Sequence, residues 1–184
     1  LGLIGIIERE ASVHQIWING VHQPELREAA AIPTDGCYET LRTHGSKICE
    51  LQTHLERLAQ SAFVLKIPLP SLPQISEELQ AAAEDDVVLR VILYSDGTRV
   101  MHRRPVVPEK WERTVSLVSW VDPEDGPPGL AKHGQRGRWE EARAAARVDE
   151  ILRVDRQGMI LEAGASSVLA VVQGGNDTIP TRGV

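Results

Sequence analysis

The sequence predicts a mixed α and β protein, and three observations carry that expectation. The supply of core residues is aliphatic, since 42% of the 184 residues are hydrophobic and only 4% are aromatic. Several short runs alternate or are continuously apolar at strand length, bounded by Gly, Asn and Pro. Between them lie two stretches with apolar residues at helical spacing. A chain of this length makes one ordinary domain or two small ones and can bury a real core.

His14-Gln15-Ile16-Trp17-Ile18 reads as a strand. Asn19-Gly20 is a type I′ hairpin signal that returns the chain through Val21-His22-Gln23. Pro24 to Pro33 reads as a polar connection. Cys37 to Thr43 alternates as a strand, His44-Gly45-Ser46 turns, and Lys47 to Leu51 forms the partner strand. Thr53 and Glu56 have capping-box spacing, so a helix is expected from Thr53 to just before Pro68. Its apolar stripe is Leu55, Leu58, Ala59, Ala62 and Phe63. Arg57 sits beside that stripe in the expected first turn. It reads either as a surface arginine pairing with Glu56 or Gln60, or as an anion ligand beside unpaired backbone N–H groups.

A second helix is expected from Ser71, as its cap, to about Glu84, with Leu72, Ile75 and Leu79 inward. Val87 to Tyr94 is a nearly continuous apolar strand interrupted by Arg90. Ser95-Asp96-Gly97 turns it back through Thr98 to His102. Arg113 to Val121 is a further strand, and the Pro/Gly-rich stretch after it marks a domain boundary. We therefore expect an N-terminal α/β domain over 1–121, a linker over 122–129 and a C-terminal domain over 130–184. In the latter, Trp139 to Arg147 is a short helix with Trp139, Ala142 and Ala146 on one face. Asp149 to Asp155, Met159 to Ala163 and Ser166 to Val172 are strands.

Lys132 leaves the linker just ahead of that helix, with no acidic residue within four positions on either side. A lysine at a loop-to-helix junction is a candidate nucleophile, because neighbouring positive charge, here His133 and Arg136, lowers its pKa. Glu162, inside a returning strand, reads either as a solvent-facing carboxylate or as one kept charged by something basic opposite it.

Composition excludes some functions. The formal net charge is −6 with basic residues dispersed, which argues against nucleic-acid binding. Cys37 and Cys49 form neither a disulfide framework nor a zinc site, and read as reduced thiols on neighbouring strands of a cytoplasmic protein. We expect no metal. No apolar run reaches membrane-spanning length, so no membrane partner is expected. Leu1 to Ile7 is apolar but lacks the basic flank and cleavage site of a signal peptide. The chain starts without Met and stops at Arg182-Gly183-Val184, so a longer polypeptide is expected.

Taken in order, the pieces resemble a known family over roughly residues 15–184. These are Ile16-Trp17-Ile18-Asn19-Gly20, Tyr38-Glu39-Thr40-Leu41-Arg42, His54-Leu55-Glu56-Arg57-Leu58 with Ser61-Ala62, Lys132, Val148-Asp149-Glu150-Ile151-Leu152, and Leu161-Glu162-Ala163-Gly164-Ala165-Ser166-Ser167. The resemblance is to the class IV aminotransferases, the fold type IV pyridoxal-phosphate enzymes, which include branched-chain and D-amino-acid aminotransferases and 4-amino-4-deoxychorismate lyase. It implies two α/β domains with pyridoxal 5′-phosphate at their interface, and a homodimer. It further implies that Lys132 forms the Schiff base, Arg57 holds the phosphate and Glu162 bonds the pyridine nitrogen. Tyr38 and Thr40 are expected to line the substrate pocket. Arg99 and His102 fall where the D-amino-acid enzymes place carboxylate-binding groups. Lys132-His133-x-x-Arg136 looks more like the lyase branch than the transaminase branches.

Three departures stand out. Ile32-Pro33-Thr34-Asp35-Gly36 is shorter than the usual turn before Tyr38, and Ser167 replaces an asparagine. A phosphate-cradling turn is expected beyond Thr178-Ile179-Pro180, where this chain ends; we expect it on a missing or disordered part or on a separate chain. The first functional expectation is an aminotransferase moving an amino group between an amino acid and a 2-oxo acid. The second is the lyase that makes 4-aminobenzoate and pyruvate. The third is a non-catalytic relative that binds no cofactor.

Overall fold

The structure is a computed structural model, and it describes residues 14–26, 31–106, 115–121, 131–134, 137–164, 169–172 and 175–178. The opening residues, the expected linker at 122–129, the Ser166–Ser167 pair and the segment after 178 lie outside the described residues.

The chain begins with β1 (Gln15–Ile18) and β2 (Val21–His22). Asn19 and Gly20 join them, both at positive φ (50° and 83°) as a type I′ turn requires. Next come β3 (Cys37–His44) and β4 (Lys47–Ile48), joined by Gly45 and Ser46 at φ 54° and 61°. β4 is shorter than expected, because Leu51 already belongs to α1 (Leu51–Leu65). That helix starts two residues before Thr53, and Glu50 is its cap residue. The expected capping box therefore does not form; the Thr53 hydroxyl donates to Glu50 at 3.3 Å instead. Arg57 consequently lies in the second turn, away from the open N–H groups of the first.

α1 buries Leu55, Leu58, Ser61 and Ala62, with Leu51 and Leu65 packed at the ends of the stripe. Phe63, expected inside, is 80% exposed. The stripe through Leu51, Leu55, Leu58, Ala62 and Leu65 leaves the position after Ala62 turned about 100° away. α2 (Leu72–Ala82) follows, burying Ile75, Leu79 and Ala82; Ser71 stands at its cap without a side-chain bond.

β5 (Val87–Leu93) and β6 (Arg99–Pro105) complete a six-stranded sheet of order β2-β1-β6-β5-β3-β4. Every pairing in it is antiparallel. Because side chains alternate, each strand sends one set of residues to the helices and the other set away. Leu41, Leu89, Val91 and Met101 join α1 and α2 in one hydrophobic core. The register Thr40↔Arg90↔His102↔Ile16 runs across the opposite face.

β7 (Leu117–Val121) and β8 (Glu150–Val154) pair in parallel, with α3 (Gly137–Ala146) between them in sequence, a β-α-β arrangement. β9 (Ile160–Ala163) returns antiparallel to β8. β10 (Leu169–Val172) and β11 (Gly175–Thr178) form a separate hairpin. β11 had no apolar pattern to announce it in Gly175-Asn176-Asp177-Thr178. Cys37 is buried in β3 and Cys49 is exposed beyond β4, both as free thiols. Among the described residues, no helix is long and apolar enough to cross a membrane, and no group of three His, Cys, Asp or Glu could hold a metal.

Candidate active site

The site is built where β3 lacks a strand partner. β4 pairs only with Thr43 and His44 at the far end of β3, so the backbone near Cys37 is open on that side. Residues 131–134 fill the gap. The Tyr38 N–H donates to the Lys132 carbonyl at 3.0 Å, and Cys37 and His133 form an antiparallel bridge. The Lys132 N–H donates to the buried Ser61 hydroxyl of α1 at 3.0 Å. Gly134 donates to the Gly36 carbonyl at 3.2 Å. A Cβ on Gly134 would lie 1.9 Å from the Pro33 carbonyl oxygen, so only glycine permits this approach. The short 32–36 turn thus forms the wall against which the lysine segment rests.

Glu39 is the centre of the site, and sequence reasoning assigned it no role. It points toward the helices from β3 and is 1% exposed. Arg57 grips it bidentately, Nε to Oε1 at 2.5 Å and Nη2 to Oε2 at 2.6 Å. His54, one helical turn before Arg57, brings Nδ1 to 2.8 Å from Oε2. Lys132 Nζ lies 3.9 Å from the same oxygen and 5.3 Å from the centre of the Tyr38 ring. Burial by itself would raise the Glu39 pKa. Hydrogen bonds from Arg57 and His54, and the charges of Lys132 and Arg57, outweigh burial and hold it below the ordinary carboxylate range. The sequence signal that could have found Glu39 is a single acid in an otherwise uncharged inward series (Cys37, Leu41, Thr43), which requires a buried partner.

Lys132 therefore has an acid beside it that its sequence neighbours do not reveal. Arg57 is drawn to buried Glu39, a partner its sequence neighbours do not suggest. Glu162 is in β9, in register with Arg153 of β8. Arg153 itself is buried, its guanidinium 4.1 Å above the Trp139 ring.

Tyr38, Thr40 and His102 lie on the sheet face away from the helices, and Arg90 joins them. Its Nε donates to the Thr40 hydroxyl at 3.2 Å, and its guanidinium stands 5.7 Å from the Tyr38 ring centre. Arg90 was read only as an interruption in an apolar strand. Burial, then the charges of Arg90 and His14, push the His102 pKa down to about 4, so its imidazole is neutral at neutral pH. Burial and the nearby Glu39 push the Cys37 thiol up to about 12, leaving it protonated and unreactive.

Arg99 is not with them. Three residues from His102 on the same strand, it faces the helix layer and forms a bidentate pair with Glu78 of α2, at 2.7 and 2.5 Å. Arg99 and His102 do not share a face, because strand residues an odd number apart face opposite ways.

A lysine, an arginine and an imidazole gathered on one buried carboxylate make a class of site suited to a small anion beside an amine. The comparisons with known proteins specify the class further. The family model for amino-transferase class IV matches residues 36–183, and the chain belongs to that family. A Mycobacterium tuberculosis protein named bifunctional aminodeoxychorismate lyase / D-amino acid transaminase is 35% identical over 77 residues, 38% of this chain. The match spans about a quarter (26%) of that relative's length.

Among solved structures, the branched-chain aminotransferase of Thermoproteus uzoniensis with norvaline superposes with a TM-score of 0.71 at 20% identity. It covers 92% of this chain and 68% of its own, and it shows the fold. A Mycobacterium tuberculosis protein described as a hypothetical aminotransferase, in its PLP-bound form, superposes with a TM-score of 0.67 at 26% identity. It covers 85% of this chain and 67% of its own.

Proposed function

We propose that the protein is a pyridoxal-phosphate-dependent aminotransferase that exchanges an amino group between an amino acid and a 2-oxo acid. The observation that carries the reading is the cluster on Glu39: an amine, a guanidinium and an imidazole share one buried carboxylate at the edge of β3. This donor set fits a phosphorylated aldehyde, with basic groups for an anion and a primary amine for a carbonyl. Lys132 is the amine that would bond the cofactor, and Arg57 the group that would hold its phosphate. Glu162 is the acid proposed for the pyridine nitrogen. Bound pyridoxal phosphate supplies an electron sink for the charge left when a proton leaves the substrate Cα.

The remaining work falls to the protein. Lys132, as a free amine, takes the Cα proton and returns it. On the other sheet face, Arg90 is placed with Tyr38 and Thr40, and a guanidinium there suits the carboxylate that every amino acid and 2-oxo acid carries. Neutral His102 beside it can donate or accept one hydrogen bond without adding charge. Arg99, held by Glu78, is not part of this proposal. The division into domains at 121 and 130, a homodimer and a cytoplasmic location belong to the same proposal. They rest on family membership, and light scattering of the purified protein tests the dimer.

The relative that carries both activities in its name favours one second reading, 4-amino-4-deoxychorismate lyase. The two differ in their need for an acceptor: the lyase releases pyruvate from its substrate with no 2-oxo acid added.

The test is the visible absorption spectrum after pyridoxal phosphate is added and the excess dialysed away. Wild type retains a band that Lys132→Ala lacks, and turnover in the variant falls by about 10³-fold or more. A folded wild-type protein that retains no band overturns the enzyme reading and leaves a non-catalytic relative.

A further inference from the structure

Lys132 has to give up a proton before it can attack a carbonyl, and what surrounds its ammonium decides how readily it does so. The charged and titratable groups facing it come from several elements. Among the described residues, Cys37, Tyr38 and Glu39 lie on β3, His54 and Arg57 on α1, Arg90 on β5 beside the Tyr38 ring, and His133 is next in sequence. Glu39 brings its carboxylate to this set, 3.9 Å from the amine. It touches both the guanidinium and the imidazole.

We propose that Glu39 is a positioning residue for both Arg57 and Lys132: its bidentate grip sets the plane of the guanidinium, and its charge governs the protonation of the lysine. The geometry carries the first half. With Nε and Nη2 both committed to Glu39, the guanidinium cannot rotate about its long axis without losing two charge-assisted bonds. The second half follows from one oxygen. Oε2 accepts from Arg57 Nη2, meets His54 Nδ1 at 2.8 Å and faces Lys132 Nζ. Its negative charge stabilises the ammonium, and His54 and Arg57 draw that charge away. Lys132 is thereby tuned through Glu39 by two residues of α1.

The consequence is a pair of substitutions with opposite effects. Glu39→Gln keeps the shape of the side chain, removes the charge and makes the lysine easier to deprotonate. His54→Leu leaves more negative charge on Oε2 and makes it harder. A role confined to holding the fold together would move the melting temperature in both variants and the lysine in neither.

The proposal rests on Lys132 being the reactive amine, but its test does not need the loaded enzyme. Short pulses of acetic anhydride, which acylates only the unprotonated amine, are applied across a pH series to the cofactor-free protein. Acetylation of Lys132 is read by mass spectrometry against Lys47, Lys66 and Lys110, the other three lysines of the sequence. The expected result is a midpoint for Lys132 lower by about one pH unit or more in Glu39→Gln and higher in His54→Leu, with the three reference lysines unmoved. Glu39→Asp, which restores the charge, brings the midpoint back toward wild type. A folded Glu39→Gln with an unchanged midpoint overturns the proposal. Should that variant not fold, His54→Leu decides alone, because its side chain is 21% exposed and more easily replaced. If the midpoints move as expected while wild type holds no pyridoxal phosphate, Glu39 governs Lys132 but the enzyme reading fails.

Discussion

Among the described residues, two bidentate arginine–glutamate pairs join the large sheet to its helices, and they are built in opposite senses. At Arg99–Glu78 the arginine comes from the strand and is 5% exposed, while the glutamate comes from the helix and is 18% exposed. One cation meets one anion. At Arg57–Glu39 the strand supplies the anion, 1% exposed, and the helix the cation, 24% exposed. Here His54 and Lys132 crowd onto the same carboxylate, so three basic groups share one acid. The first arrangement is complete in itself and acts as a clamp between β6 and α2. The second gathers an amine, a guanidinium and an imidazole on one carboxylate at a half-open position, the arrangement that the proposed anionic ligand would use. Bidentate geometry alone does not distinguish a clamp from the proposed site; the further basic groups on Glu39 are the difference between the two pairs.

Breaking the clamp gives the largest change in stability. Arg99→Ala leaves Glu78 without its guanidinium against a sheet, and we expect a loss of about 3–4 kcal/mol in chemical denaturation. Cofactor retention by the folded fraction stays unchanged. A loss below about 1 kcal/mol would place this pair with surface ion pairs and blur the contrast.

Acid titration sharpens the contrast at a second level, between the two faces of the sheet. His102 has a folded pKa of about 4 against an ordinary 6.5. The unfolded chain therefore binds the extra proton first. Stability falls as pH drops from about 6.5 to 4, by on the order of 3 kcal/mol, and then levels. Glu39, with its pKa lowered from an ordinary 4.5, contributes stability that is present above that value. It is lost as pH falls through the folded pKa. Urea midpoints measured against pH should show both phases in wild type and only the lower one in His102→Gln. A single phase below pH 4.5 in wild type would mean that His102 is not held neutral.

Much of this fold was legible from local chemistry. Asn19-Gly20 named its own turn, the apolar run of β5 marked a central strand, and Leu55, Leu58 and Ala62 marked the buried side of α1. Where reading failed, the deciding partner lay far away in sequence. Thr53 and Glu56 carried a correct capping pattern, yet Leu51 found the core and drew the helix start forward. Phe63 matched the helical period but lost its place to Ser61, whose hydroxyl holds the Lys132 backbone. Lys132 and Arg57 are singled out by the family pattern, and the structure brings both to Glu39. Glu39, which joins them, carries only a faint signature, a single acid in an otherwise uncharged inward series of β3. Arg99 faces the helices and Arg90 the opposite face; the sequence shows a strand's alternation but not which side the helices cover.

The central claim is that the cluster on Glu39 serves a ligand and the pair on Glu78 serves the fold. Its most direct test is a pyridoxal phosphate titration of wild type, Arg57→Ala and Arg99→Ala, followed by protein fluorescence under conditions where all three are folded. The account predicts affinity lower by about 10- to 100-fold in Arg57→Ala, the worth of one or two charge-assisted bonds, and equal to wild type in Arg99→Ala. Equal affinity in wild type and Arg57→Ala, or a matching loss in both variants, would contradict it.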